Sequence, residues 1–347
     1  MIVAITGASA GVGRAVAREF ARHAWDVALI ARGCDRLSET AREIEQYGVR
    51  SLPISVDVAD FSAVEAAAER IETELGPIDI WINNAMATVF APVSNIKPDE
   101  FRRATEVTYL GQVHGTMVAL TRMRTRDRGV IVNIGSALAY RAIPLQAAYC
   151  GAKFAVRGFT DALRCELLHD GTAVDLVMVH LPAVNTPQFD WALNKTGRKA
   201  QPVPPIFQPE VAARAIYFAA THPKRRELWV GLSSVKAILG NELAPGLLDR
   251  LLANTGYSGQ LTDEESPRNA PANLFEPVPG DFGAHGRFEQ KARSFSGQLT
   301  MARHPIAATA ALIVGALALG VTFLGSRRRI THDDADGRRN QRTLRRA

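Results

Sequence analysis

Cysteine is scarce in this 347-residue chain: Cys34, Cys150 and Cys165 are an odd number, with no C-x-x-C and no metal-ligand spacing. That excludes a disulfide framework, makes reduced thiols the expectation and offers no metal site. No basic segment followed by an apolar run opens the chain, so no secretory signal is expected. "MIVAITGASAGVG" reads instead as a strand entering a glycine loop. Internal repeats are missing too. Nor is there a charge bias in the body. The formal net charge is +6, but residues 325–347 hold eight arginines against three aspartates, so most of the excess belongs to the tail. A nearly neutral body argues against a nucleic-acid partner.

What is there, from residue 1 to about 231, is alternation. Short apolar β-rich runs stand at Ile2–Thr6, Asp26–Ala31, Arg50–Val56, Ile78–Asn83, Gly129–Ile134, Val174–His180 and Glu227–Val230. Helical patterns separate them at Arg14–Arg22, Cys34–Tyr47, Ser62–Leu75, Pro98–Arg126, Ala148–Leu168 and Pro209–Thr221. Strands apolar on both faces, alternating with helices, predict βαβ units: an α/β chain with a doubly wound parallel sheet of about seven strands. Residues 234–253 read as one or two amphipathic helices broken near Pro245. An α/β domain with C-terminal helices is thus expected over 1–253. A Pro-, Gly- and Ser-rich linker or surface-wrapping segment follows over 254–304, then a hydrophobic helix over 305–325 and a basic tail over 326–347.

"TGASAGVG", Thr6–Gly13, lies where the first strand turns into the first helix. Gly7 permits the tight turn, Gly11 lets backbone approach a pyrophosphate, and Gly13 allows close helix–strand packing, with the phosphates at the helix N-terminus. This is the Rossmann-type arrangement. At the end of the second strand, where an acid would bond the ribose of NAD, the chain has Ala31 and then Arg32. The missing acid favours NADP over the alternative, NAD, unless Arg32 is an ordinary surface residue. Asp57, ending the third strand, is either an adenine contact or a cap or turn residue.

The fifth apolar run delivers Ser136, and "YCGAK" follows with Tyr149 and Lys153 one helical turn apart. With six tyrosines and seven lysines in the chain, chance supplies only about 0.1 such pairs. The Thr6–Gly13 loop, "NNA" at Asn83–Ala85, Ser136 and Tyr149–Lys153 together resemble the short-chain dehydrogenase/reductase family over about residues 1–231. The resemblance implies a catalytic Ser136–Tyr149–Lys153 set, with Tyr149 exchanging the proton, Lys153 lowering its pKa and holding the nicotinamide ribose, and Ser136 orienting the substrate oxygen. It implies cofactor contacts from Thr6, Gly7, Ser9, Gly11, Val12, Gly13, Arg32, Asp57, Val58, Asn84, Tyr149, Lys153 and Thr186, and a homo-oligomer. Three positions depart from the family pattern. Met86 follows "NNA" where the family has Gly, and Ala183 replaces a Gly after the sixth strand. Thr108 stands where an Asn supports a water relay to the lysine, so a modified relay through Thr108 is expected.

The expected activity is therefore NADP-dependent interconversion of an alcohol and a carbonyl. Phe189, Trp191 and Phe207 in the loop 187–207, with Leu138, Tyr140, Ile143 and Leu145 opposite, suggest a lipophilic small-molecule substrate. The alternative is a non-catalytic nucleotide-binding regulator or scaffold tethered to a membrane. The tether would be Ile306–Leu324, nineteen residues without a charge. As a helix they extend about 28 Å, near the ~30 Å hydrocarbon core. The arginines beyond it suit anionic lipid, whether the helix spans the bilayer or lies on it. The expected location is membrane-associated, with the catalytic domain in the cytoplasm.

Overall fold

The computed structural model describes residues 1–267 and 270–304. One compact unit covers Met1–Ser296, and the helix Gly297–Arg303 belongs to a second. The uncharged run 306–324 and the arginine-rich tail lie outside the described residues. Among those described, no helix is long and apolar enough to cross a membrane.

Seven parallel strands form the central sheet of the first unit: β1 (Ile2–Thr6), β2 (Asp26–Ala31), β3 (Ser51–Ser55), β4 (Ile80–Asn83), β5 (Gly129–Ser136), β6 (Val174–Leu181) and β7 (Glu227–Trp229), in the spatial order β3-β2-β1-β4-β5-β6-β7. Every residue of β1 and β4 is buried, because helices cover both faces. Helix α1 (Gly11–Arg22) packs beside α2 (Cys34–Glu45) and α8 (Pro209–Thr221) on one face; α5 (Gly111–Thr125) packs beside α3 (Phe61–Glu74) and α6 (Ala147–Asp170) on the other. The order reverses between β1 and β4, and a crevice opens there above the carboxyl ends of the strands.

The helical stretch expected over 98–126 is interrupted. Helix α4 (Pro98–Thr105) gives way to a π-helical turn, Glu106–Leu110, before α5 begins. Such turns reorient side chains and recur at functional sites. The break near Pro245 is real: α9 (Leu232–Leu243) stops and α10 (Pro245–Thr255) starts on the proline, which needs no N–H partner there. Beyond α10 the chain stays on the unit. Leu261–Glu265 pairs antiparallel with Arg198–Ala200, and Ala292–Arg293 pairs with Ile206–Phe207.

A buried polar chain ties β4 and β5 to the helices beneath them. Trp81 Nε1 donates to Asn83 Oδ1 (2.8 Å) and Asn83 Nδ2 to Asn133 Oδ1 (2.9 Å). Thr116 also donates to Asn133 Oδ1 (3.2 Å), and Asn133 Nδ2 donates to Thr160 (3.0 Å). A connected network in a low dielectric fixes one arrangement of the elements it joins. Asn133→Ala strands two donors and one acceptor in the core, so unfolding in urea should show a loss of about 2–4 kcal/mol with the m-value unchanged.

Candidate active site

The glycine loop owes its shape to two close approaches. The Thr6 hydroxyl accepts from the N–H groups of Asn84 (2.9 Å) and Ala85 (3.1 Å), and Asn84 Nδ2 donates to Thr6 O (3.0 Å). Gly7 is left-handed, φ +68°, and a Cβ there would lie 2.9 Å from Ala85 Cα. A Cβ on Gly13 would lie 2.1 Å from Gly7 O. Thr6 and Gly13 therefore build the turn from behind. Gly7, Ser9, Gly11 and Val12 line the cavity above it, about 520 Å³ in volume, at the amino end of α1.

Ser136, Tyr149 and Lys153 line the same cavity. Ser136 ends β5 and its Oγ accepts from Leu138 N–H at 3.1 Å. Tyr149, in the first turn of α6, is half-buried, with its open side on the cavity. Burial pushes its phenol up, and a hydrogen bond with Ser136 opposes that rise. One turn later Lys153 is 1% exposed; its Nζ donates to Ile134 O at 2.6 Å and lies 5.6 Å from the Tyr149 ring centroid. Burial lowers the Lys153 ammonium to about 7. A phenol, a hydroxyl and a cation of unusually low pKa meeting at the carboxyl edge of a sheet form a proton-transfer group.

Asp57, Val58, Asn84 and Thr186 also line the cavity. Asp57 is a turn residue as well as a wall: its carboxylate accepts from Ala59 N–H (3.0 Å) and pairs with Arg103. Two residues call for a closer description. Thr108, on the π-helical turn, is fully buried and absent from the cavity wall. Its Oγ1 donates to Ala87 O (2.7 Å) and accepts from Ala87 N–H (2.9 Å), so it anchors a turn. Arg32 does border the cavity, but its guanidinium is turned aside, donating to the carbonyls of Asn273, Leu274 and Phe275.

On the substrate side, Leu138, Ile143, Phe189 and Trp191 reach the cavity, while Tyr140, Leu145 and Phe207 are buried behind it. Tyr140 packs edge-on against His180 and Trp229, with its hydroxyl on Glu227. Sequence reasoning missed parts of the wall, among them Arg36, the α10 residues Leu248, Leu251 and Leu252, and Asn273 with Pro277 from the C-terminal segment. Arg36 had a signal. It belongs to the buried i, i+4 pattern of α2 with Thr40 and Ile44. Among the described residues, no group of three His, Cys, Asp or Glu could hold a metal.

Comparison with known proteins agrees with this geometry. The short chain dehydrogenase family profile matches residues 1–196. The chain is 30% identical to the uncharacterized oxidoreductase YxnA of Bacillus subtilis over 321 residues, 91% of this chain and 89% of that one. It is 32% identical to the 3-dehydrosphinganine reductase of Danio rerio over 192 residues, 54% of this chain and 57% of that one. Among solved structures, an alcohol dehydrogenase from the archaeon Thermococcus sibiricus, complexed with 5-hydroxy-NADP, superposes with a TM-score of 0.58 and 27% identity. The match covers 66% of this chain and 95% of that one. L-sorbose reductase from Gluconobacter frateurii, complexed with NADPH and L-sorbose, matches at 25% identity with the same TM-score, over 66% of this chain and 94% of that one. The chain belongs to the short chain dehydrogenase family of oxidoreductases.

Proposed function

We propose that the protein is an NADP-dependent oxidoreductase that interconverts an alcohol and a carbonyl on a lipophilic substrate, with Tyr149 as the acid/base. The observation that carries the reading is the convergence of Ser136, Tyr149 and Lys153 on the cavity that the glycine loop also lines. The residues fit a dinucleotide. The left-handed Gly7, the N-terminus of α1 and the cationic Lys153 face one continuous cleft. Relatives solved with NADP or NADPH support the choice of cofactor. When bound, the dinucleotide gives or takes the hydride. In reduction Tyr149 donates its proton to the carbonyl oxygen, Ser136 hydrogen-bonds that oxygen and stabilises its growing charge, and Lys153 favours the phenolate left behind. Oxidation reverses each step.

The apolar wall supports the lipophilic substrate, as does the likeness to a 3-dehydrosphinganine reductase. So does the outer face of α9 and α10: Leu243 is 85% exposed and Leu247 68%, and Leu251 both lines the cavity and reaches the surface. An apolar mouth of this kind suits a substrate delivered from a membrane surface. Self-association through exposed Met117 of α5 and Phe154 of α6 belongs to the same reading.

Tyr149→Phe removes the phenolic hydroxyl, and with it the transferable proton and the hydrogen bond with Ser136. NADPH oxidation on a panel of long-chain ketones should fall by about 10²–10⁴-fold, while NADPH binding, followed by fluorescence, should stay within a few-fold of wild type. Near-normal turnover would sink the mechanism.

Lys153 also makes stability depend on pH. The unfolded chain keeps this ammonium protonated up to about pH 10.5, whereas the folded, cofactor-free chain releases the proton near 7. The folded state should therefore gain stability as pH rises through that window, by up to about 1.4 kcal/mol per unit. Urea midpoints for wild type and Lys153→Met between pH 7 and 10 should diverge accordingly, with the gain confined to wild type.

A further inference from the structure

Under the carboxyl end of β5 lies a buried polar cluster that the mechanism above does not use. His180 of β6 is fully buried, and its ring fits there because Gly135, opposite it on β5, has no side chain. A Cβ at 135 would lie 2.6 Å from His180 Nδ1. That nitrogen bonds the main-chain carbonyl of Ser136 at 3.0 Å. A carbonyl only accepts, so Nδ1 carries the hydrogen. The other nitrogen, Nε2, lies 3.3 Å from Glu227 Oε2. The same carboxylate oxygen accepts from Trp229 Nε1 (2.9 Å) and from the Tyr140 hydroxyl. Burial acts to raise the Glu227 carboxyl, but His180, Tyr140 and Trp229 outweigh it and hold the group well below the usual carboxylate range.

His180 and Glu227 thereby hold both ends of one turn. Ser136 closes β5, residues 137–139 make a single 3-10 turn that puts Leu138 on the cavity wall, and Tyr140 follows. The Tyr140 ring is fixed from behind: Arg157 Cζ of α6 lies 3.7 Å from its centroid, and Ile238 of α9 packs against it. The turn that carries Ser136 is thus referred to α6, the helix that carries Tyr149 and Lys153. A carboxylate and an imidazole cost more to bury than an apolar pair of the same size. What they add is direction, since hydrogen bonds fix the angle of a peptide group and apolar contacts do not. We propose that His180 and Glu227 are positioning residues for the reaction, clamping the turn 136–140 so that Ser136 Oγ meets the substrate oxygen beside Tyr149. A misplacement of about 1 Å at such a point can cost roughly a hundredfold in rate. The inference rests on the oxidoreductase reading given above.

The test is steady-state NADPH oxidation with the long-chain ketone that wild type reduces fastest, alongside NADPH binding followed by fluorescence. His180→Leu should lower kcat at least tenfold with NADPH affinity held within twofold, which also shows that the variant is folded. His180→Asn, whose amide can stand where Nδ1 does, should recover most of kcat. His180→Gln, whose amide reaches the Nε2 position instead, should not. In a Ser136→Ala background, His180→Leu should cost less than twofold more, because its effect passes through Ser136. Tyr140→Phe keeps the ring and its packing; it should lose several-fold of kcat, again only while Ser136 is present, and it decides the matter if His180→Leu does not fold. The inference is overturned if His180→Leu or Tyr140→Phe keeps the wild-type kcat. It is equally overturned if either costs as much without Ser136 as with it, or if His180→Gln recovers kcat as well as His180→Asn. In those cases the oxidoreductase reading stands. Wild type that reduces no ketone, or Ser136→Ala with an unchanged kcat, overturns that reading and this inference together.

Discussion

The contact between Gly13 and Gly7 O sets the geometry from which the site is built. A Cβ at 13 would sit 2.1 Å from that oxygen and 2.7 Å from Asn84 Nδ2, so only a bare α-carbon lets α1 approach β1 this closely. The approach aims the helix N-terminus at the crevice, brings the Asn84 amide onto Thr6 O, and fixes the end of β4 relative to β1. A methyl at this point would push α1 outward and separate the phosphate-binding end of the crevice from the end that carries Ser136 and Tyr149. Substrate chemistry and cofactor binding thus share one mechanical reference, a turn with no room for a side chain.

From that reference, the crevice is built of two kinds of polar group. Those behind the wall are satisfied: Thr6, Thr108, Asn83 and Asn133 each have protein partners. Two cations on the wall are left short of them. Lys153 has one carbonyl, and Arg36 has two rings, with the Asp281 carboxylate acting on it without a hydrogen bond. The division follows from the cost of burial. A neutral donor costs little once bonded, whereas a cation in a low dielectric asks for a directly bonded counter-charge, which neither Lys153 nor Arg36 has among the described residues.

The legible part of the fold is the part governed by periodicity. Apolar strands alternating with amphipathic helices give the seven-stranded sheet, and β1 and β2 fall on the residues where the pattern places them. Ser136, Tyr149 and Lys153 were legible because their spacing and their position after a strand are local properties. The π-helical turn at 106–110 was not, since it inserts one residue into an otherwise regular helical pattern, and with it Thr108 turns toward Ala87. Where the C-terminal segment 273–283 would sit was illegible for a different reason. Its grip on Arg32 and Gly11 comes from main-chain carbonyls, which every residue type carries equally. The contacts that depend on side-chain identity include Phe282, Asp281 and the buried Leu274, and nothing in a stretch rich in proline and glycine marks them.

The cations left incomplete on the wall link stability to occupancy. Burial disfavours the charged forms of Lys153 and Arg36, so each lowers the stability of the cofactor-free fold at a pH where it is charged. A dinucleotide phosphate or ribose hydroxyl within reach of these cations would offset that cost, and its binding would then stabilise the fold as well as hold the ligand.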